Sequence, residues 1–168
     1  MIKRNLLFIC LLCLSLPLLS QEEESDHCLL EPNSISVGVA TPYSIKESMV
    51  GINSRIYYNV MEKWCFGSEF SFTPADEADL YETNFILHYI IKVPLIGVYP
   101  LVGINYSWER SEIHGNHEGI GMMWGAGIHR NIKSFTLFGE YSRLEGPLAD
   151  QFVSLGLFYR FEIPTKHE

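Results

Sequence analysis

The densest grouping of chemically versatile side chains is ERSEIHGNHE, residues 109–118. It places His114 and His117 three apart, beside Glu112, Glu118 and Ser111. Imidazoles at that spacing with nearby carboxylates are the donor types of a divalent metal site. Gly115–Asn116 in their midst reads equally as the turn of a solvated loop, and a free loop does not pre-organise ligands. The loop reading is adopted here, with no metal and no cofactor. Acyl transfer is the second chemistry to weigh. A serine esterase needs Ser, His and an acid within hydrogen-bond reach. Ser107 or Ser142 with His88 or His129 and Glu140 supply the types, but no spacing singles out a nucleophile. No catalytic residue is assigned. The third set is a scatter of single charges: Arg55, Lys92 and Arg160 against Glu69, Glu82, Glu109 and Glu140, with His88 and His129 able to join. Such charges neutralise one another only if the segments that carry them curl around a common axis.

Those segments have a period of two almost throughout, and helical spacing is hard to find. In the last of them, DQFVSLGLFYRFE (Asp150–Glu162), Val153, Leu155, Leu157, Tyr159 and Phe161 alternate with Phe152, Ser154, Gly156, Phe158 and Arg160. The same alternation predicts strands over Ser34–Thr41, Val50–Val60, Cys65–Thr73, Leu80–Lys92, Ile96–Glu109, Gly119–Asn131 and Ser134–Arg143. Between them, TPYSIKESM, TPADEAD, RSEIHGNHE and LEGPLAD alternate with the shorter MEKW, VPLI and NIK. Short turns on one side and longer loops on the other are the signature of an up-and-down antiparallel meander. Strands of this kind close into a barrel without free edges.

Two barrels fit, and they differ in which face meets water. A soluble carrier shows Lys, Glu, Asp and Thr outside. Here the polar face carries glycines, Ser, Asn, His and single charges, which suit a narrow lumen. The apolar face has Ile, Leu, Val and Met at strand centres. Tyr58, Phe72, Tyr81, Tyr106, Trp108, Tyr141, Tyr159 and Phe161 lie toward the ends. Aromatic girdles belong at lipid headgroups. Turned inward, so many bulky rings would overfill a small barrel. The predicted fold is therefore all-β: an eight-stranded antiparallel up-and-down transmembrane β-barrel over residues 34–162.

Residues 1–20 read as a secretory signal peptide: Lys3 and Arg4, an apolar run, then Ser20 before the acidic QEEESD. Residues 21–33 read as an extended lead-in, and 163–168 as a C-terminal tail. The leader holds Lys3 and Arg4 and no acid, so its removal takes the net charge from −8 to −10. That excludes nucleic acid as a partner, because phosphate binding needs clustered Lys and Arg. Of the four cysteines, Cys28 and Cys65 remain in the exported chain. One disulfide or two thiols are both open. The apolar stretch Phe85–Trp108 is interrupted by His88, Lys92, Pro94 and Pro100, unlike a spanning helix.

PLVGINYSWE (Pro100–Glu109) followed by WGAGIHRNIKSFTLFGEYSR (Trp124–Arg143) resembles the penultimate hairpin of the small outer-membrane β-barrels, the group of the OmpA N-terminal barrel and the OmpX/Ail-like proteins. VSLGLFYRF (Val153–Phe161) resembles their closing strand, whose terminal aromatic serves as an assembly signal. Here EIPTKHE follows Phe161, a departure from the many members that end on the aromatic. The resemblance implies outer-membrane lipid and the barrel-assembly machinery as partners, a monomer in the outer membrane of a Gram-negative-type envelope, and a structural or recognition role. Termini and short turns would face the periplasm, and the longer loops would offer a surface for a ligand the sequence does not name. It also puts Cys28 and Cys65 on the same side, where a bridge is geometrically open. The lumen of eight strands is filled by side chains such as Arg55, Tyr57, Phe158 and Arg160, so no pore is expected. The alternatives are a lipid-modifying barrel enzyme and a secreted soluble β-barrel carrier.

Overall fold

The structure, a computed structural model, describes residues 31–74, 78–111 and 115–162. Nine strand segments follow in order: β1 (Ser34–Ser44), β2 (Ile52–Asn59), β3 (Trp64–Thr73), β4 (Asp79–Tyr89), β5 (Ile91–Val93), β6 (Ile96–Arg110), β7 (His117–Ile132), β8 (Phe135–Glu145) and β9 (Asp150–Glu162). Every neighbour is antiparallel. β1 pairs with β9 from Ser34↔Glu162 to Ser44↔Phe152, which closes the sheet into a barrel. β4 and β5 keep one register against β6, with His88↔Leu101 and Ile91↔Val98, so they form a single stave. Continuing that register puts Pro100 opposite Tyr89, and a residue without an N–H interrupts the ladder there. Nine segments thus make eight staves.

The staves lie where the alternation predicts them, with their ends moved by up to three residues. β1 runs past Pro42 to Ser44 because Pro42 still accepts through its carbonyl, from Gly51 N at 2.7 Å. The β6–β7 hairpin draws His117 and Glu118 out of the predicted loop into strand pairing, opposite Glu109 and Trp108.

The polarity of the barrel is inverted relative to a soluble one. Leu155, Ile104 and Phe85 are 55%, 60% and 64% exposed on the outside, whereas Glu69 and Glu140 are 2% and 4% exposed within. This removes the soluble-carrier alternative: a carrier would bury the first set and wet the second. Aromatic groups gather at both ends of the outer face. Tyr81 stacks on Trp108 at 5.4 Å, and Phe72 joins Tyr81 at 5.0 Å toward the loop end. Phe135, Tyr159 and Phe161 form a chain at 5.2 and 4.7 Å toward the short-turn end.

Inside, four rings lie across glycines directly opposite them on the next strand: Tyr57 on Gly67, Tyr99 on Gly127, Phe138 on Gly156 and Phe158 on Gly38. A Cβ at any of these glycines would collide with the ring it faces. The pairing lets the wall curve tightly while the ring covers backbone that a glycine leaves bare. The rings also meet one another: Phe138 and Phe158 stack at 4.7 Å, and Phe158 abuts Tyr57 edge-on at 5.3 Å.

Replacing Gly127 with valine is expected to lower stability by about 1–3 kcal/mol through overpacking against Tyr99. Gly139→Ala, whose new methyl meets only the outer side chains of Leu155 and Ile128, is expected to stay within about 0.5 kcal/mol. Denaturant unfolding of both variants from lipid vesicles checks the contrast; equal effects would refute the ring-over-glycine account.

Candidate functional site

The lumen brings charged groups from distant strands together. Arg55 on β2 is its centre. Its Nη1 lies 3.0 Å from Glu69 Oε1 on β3, and 3.2 and 3.1 Å from the two carboxylate oxygens of Glu140 on β8. Its Nε donates to Asn53 Oδ1 at 2.6 Å. Asn53 Nδ2 in turn donates to Ser71 Oγ at 2.7 Å and to Glu69 Oε2 at 3.3 Å. The Tyr57 hydroxyl donates to Glu69 Oε1, and Tyr99 donates to Glu140 Oε2 at 3.1 Å. Below the guanidinium, the Phe138 ring lies 4.7 Å away.

One cation is therefore shared by two carboxylates, and every oxygen of the pair has a donor. Such a cluster is costly to desolvate, so its worth lies in completeness: removing one member strands the others in a low-dielectric interior.

The other sequence candidates fall into three places. Glu82, His88 and His129 are buried in the lumen, but apart from the triad. Glu82 accepts from Asn105 Nδ2 at 3.5 Å, a long contact. His88 is sandwiched between Tyr57 and Tyr99, at 4.8 and 4.7 Å, and its Nε2 has no partner. Lys92 lies at the rim rather than inside the lumen. It keeps the lumen-side parity of its stave but is exposed, because β3 ends at Trp64 opposite Tyr89 and the β5–β6 tip projects beyond the rim. Glu109 is likewise at a rim, half-buried beside His117 on β7. Arg160 caps the short-turn end, donating to the Lys133 carbonyl at 3.0 Å and pairing with Glu31 at 3.6 Å. Cys65 is a buried free thiol; Cys28 lies outside the described residues, and so do Glu112 and His114 of the candidate metal loop. Of that loop, Glu118 accepts from the Tyr106 hydroxyl at 2.7 Å.

The esterase sets do not assemble. Ser107 stands opposite Glu82, six residues along β4 from His88, or about 20 Å at strand rise. Ser142 is four residues along β8 from Phe138, the partner of His129, a separation of about 13 Å. Glu140 is already held by Arg55 and Tyr99.

Tyr99, Phe138 and Asn53 are the network members that charge and hydropathy alone pass over. Their parity marks them: each shares a face with a buried neighbour two residues away, such as Leu101, Glu140 and Arg55.

Arg55→Met is expected to cost about 3–5 kcal/mol, because it leaves two buried carboxylates without their cation. The triple change Arg55→Met, Glu69→Gln, Glu140→Gln should recover most of that loss. Denaturant titration followed by tryptophan fluorescence measures both. A single variant as stable as the parent would show that the triad holds nothing together.

No family model matches the chain, and no curated protein matches it in sequence. Solved structures do. The N-terminal barrel domain of Pseudomonas aeruginosa OprF superposes with a TM-score of 0.64 at 14% identity, over 77% of this chain and 98% of that one. Ail, the attachment invasion locus protein of Yersinia pestis, superposes with a TM-score of 0.53 at 18% identity, over 78% and 100%. A de novo designed transmembrane β-barrel gives 0.55 at 18% identity, over 79% and 99%. At such identities the likeness is one of fold. With its closed antiparallel ladder, apolar exterior and filled polar lumen, the chain has the fold of the small eight-stranded outer-membrane β-barrels.

Proposed function

We propose that the protein is an integral outer-membrane barrel of a Gram-negative-type envelope, with a structural role or one of recognition through its longer loops, and that it is not an enzyme. The observation that carries this is the outer surface: a closed barrel exposes Val39, Ile52, Phe85, Ile104 and Leu155, each more than half exposed, on every side. Soluble monomers rarely expose contiguous apolar patches beyond a few hundred Å². A surface of this kind is at home in hydrocarbon, where closure satisfies every backbone group.

The lumen supports the non-enzymatic part. Arg55, Glu69 and Glu140 saturate one another, and the rings of Tyr57, Tyr99, Phe138 and Phe158 occupy the remaining width. Insertion would depend on the barrel-assembly machinery, and the barrel would act as a monomer in lipid. Recognition, if it is the role, falls to the loop end. Its described residues include Glu47, Asp79, Glu109, Glu118, Glu145 and Asp150 against Lys46, Arg110 and Arg143. That balance favours a cationic or polar partner over a polyanion.

The protein is expected to fractionate with outer membranes and to migrate differently on gels before and after boiling. Leu155→Arg, on the lipid face, should lower stability in vesicles by about 2–4 kcal/mol if that residue sits near the midplane. Recovery as a soluble periplasmic protein without a heat-dependent shift would overturn the reading. A changed acyl-chain profile of membrane lipids on expression would overturn its non-enzymatic part.

A further inference from the structure

The loop end of the lumen holds a carboxylate that the triad does not take up. Glu82 on β4 is 3% exposed. Ser71 on β3 and Ser107 on β6 stand directly opposite it on either side, and both are buried. Thr73 and Asn105 lie two residues along from these serines on the same face, which makes them its diagonal neighbours at about 7–8 Å. The surroundings are rich in oxygen and poor in donors. Asn105 Nδ2 donates to Glu82 only at a long 3.5 Å, and its short bond, at 2.6 Å, goes to Asn84 Oδ1. Asn105 Oδ1, on that same amide, has no partner, and neither has Thr73 Oγ1, although the two residues are 0% and 1% exposed.

Among the described residues, the cations of this end are engaged elsewhere. Lys46 pairs with Glu47 at 3.1 Å, Arg143 pairs with Glu145 at 2.8 Å, and Arg110 lies over the Tyr81 ring. Arg55 is held by Glu69 and Glu140. The charges that bear on Glu82 are Asp150 and Glu69, both negative. Asp150 is itself satisfied by Ser44 Oγ at 2.6 Å and by the backbone N–H groups of Lys46 and Gln151. A buried charge is paired or it binds metal. A proton on Glu82 would supply a single hydrogen bond and leave at least one of the two orphan oxygens unfilled. A cation draws several oxygens at once, and a carboxylate among neutral oxygens is the donor set of a hard one.

We propose that Glu82 and Asn105, on neighbouring strands beneath the loop-end mouth, bind a hard metal cation through the Glu82 carboxylate and Asn105 Oδ1, with Thr73 Oγ1 and Ser107 as nearby oxygens for its water shell. One carboxylate among neutral oxygens balances one positive charge, which favours sodium or potassium over a divalent ion. On its own strand, Leu80 is the one buried residue between Glu82 and the strand end at Asp79, so the ion exchanges through the loop-end mouth. The site is a property of the folded lumen, whatever membrane holds it.

The test is urea unfolding of the full chain in zwitterionic detergent micelles, followed by tryptophan fluorescence. Choline chloride is compared with sodium, potassium, calcium and magnesium chloride at equal ionic strength. A ligand bound only by the folded state raises the unfolding midpoint, and the rise grows with its concentration. The midpoint is expected to rise in sodium or potassium relative to choline. Glu82→Gln should abolish the rise, and Glu118→Gln, at the exposed loop end, should keep it. Asn105→Asp adds a second carboxylate and should strengthen the response to calcium; it decides the matter if Glu82→Gln does not fold. A rise in calcium or magnesium alone would keep the site and make its occupant divalent. Equal midpoints in all five salts would overturn the proposal and leave Glu82 balanced by a proton. So would a metal response that survives Glu82→Gln, or an Asn105→Asp protein that responds as the parent does.

Discussion

A sheet immersed in hydrocarbon has no water to satisfy an unpaired edge. The pairing of β1 with β9 along the whole length of β1 is therefore the constraint on which the rest of this molecule depends. Closing eight staves fixes a narrow lumen, and everything inside must be packed to protein density without water to spare. The same closure sends every second side chain outward, where only apolar groups and interfacial aromatics are tolerated.

The interior meets this demand with two devices. Where a ring is needed, the strand opposite supplies a glycine, so Tyr57, Tyr99, Phe138 and Phe158 lie against the wall rather than across the axis. Where charge is present, one guanidinium is shared between two carboxylates from opposite parts of the sheet. The two devices are coupled. Tyr57 and Tyr99 donate to the carboxylates, and Phe138 underlies Arg55. The aromatic belt thereby orients the ion cluster, and the cluster holds the rings that fill the lumen.

Fold and function separate cleanly here. A designed barrel, an OprF domain and an attachment protein all share this architecture at under 20% identity. The barrel architecture by itself therefore assigns no specific role. In this chain the poles differ in chemistry. One carries an excess of carboxylates, and the other carries Lys63, Lys92, Lys133 and Arg160 together with a buried thiol.

The period-two pattern by itself determined the strands, the order of short turns and long loops, and which face of Val153–Phe161 is greasy. Those are local properties, because side-chain parity along a strand needs no knowledge of its neighbours. The inward assignment of Arg55, Glu69, Glu82, His88, His129 and Glu140 was legible for the same reason. Which of them meet was not. Arg55 and Glu140 are 85 residues apart and touch only because the sheet closes and shears. Lys92 shares their parity yet lies outside, because the neighbouring strand ends first. Tyr99 and Phe138 are apolar enough to pass for lipid-facing residues. Parity puts them on the lumen face; the glycine across from each, revealed by the register, shows how rings of that size fit there.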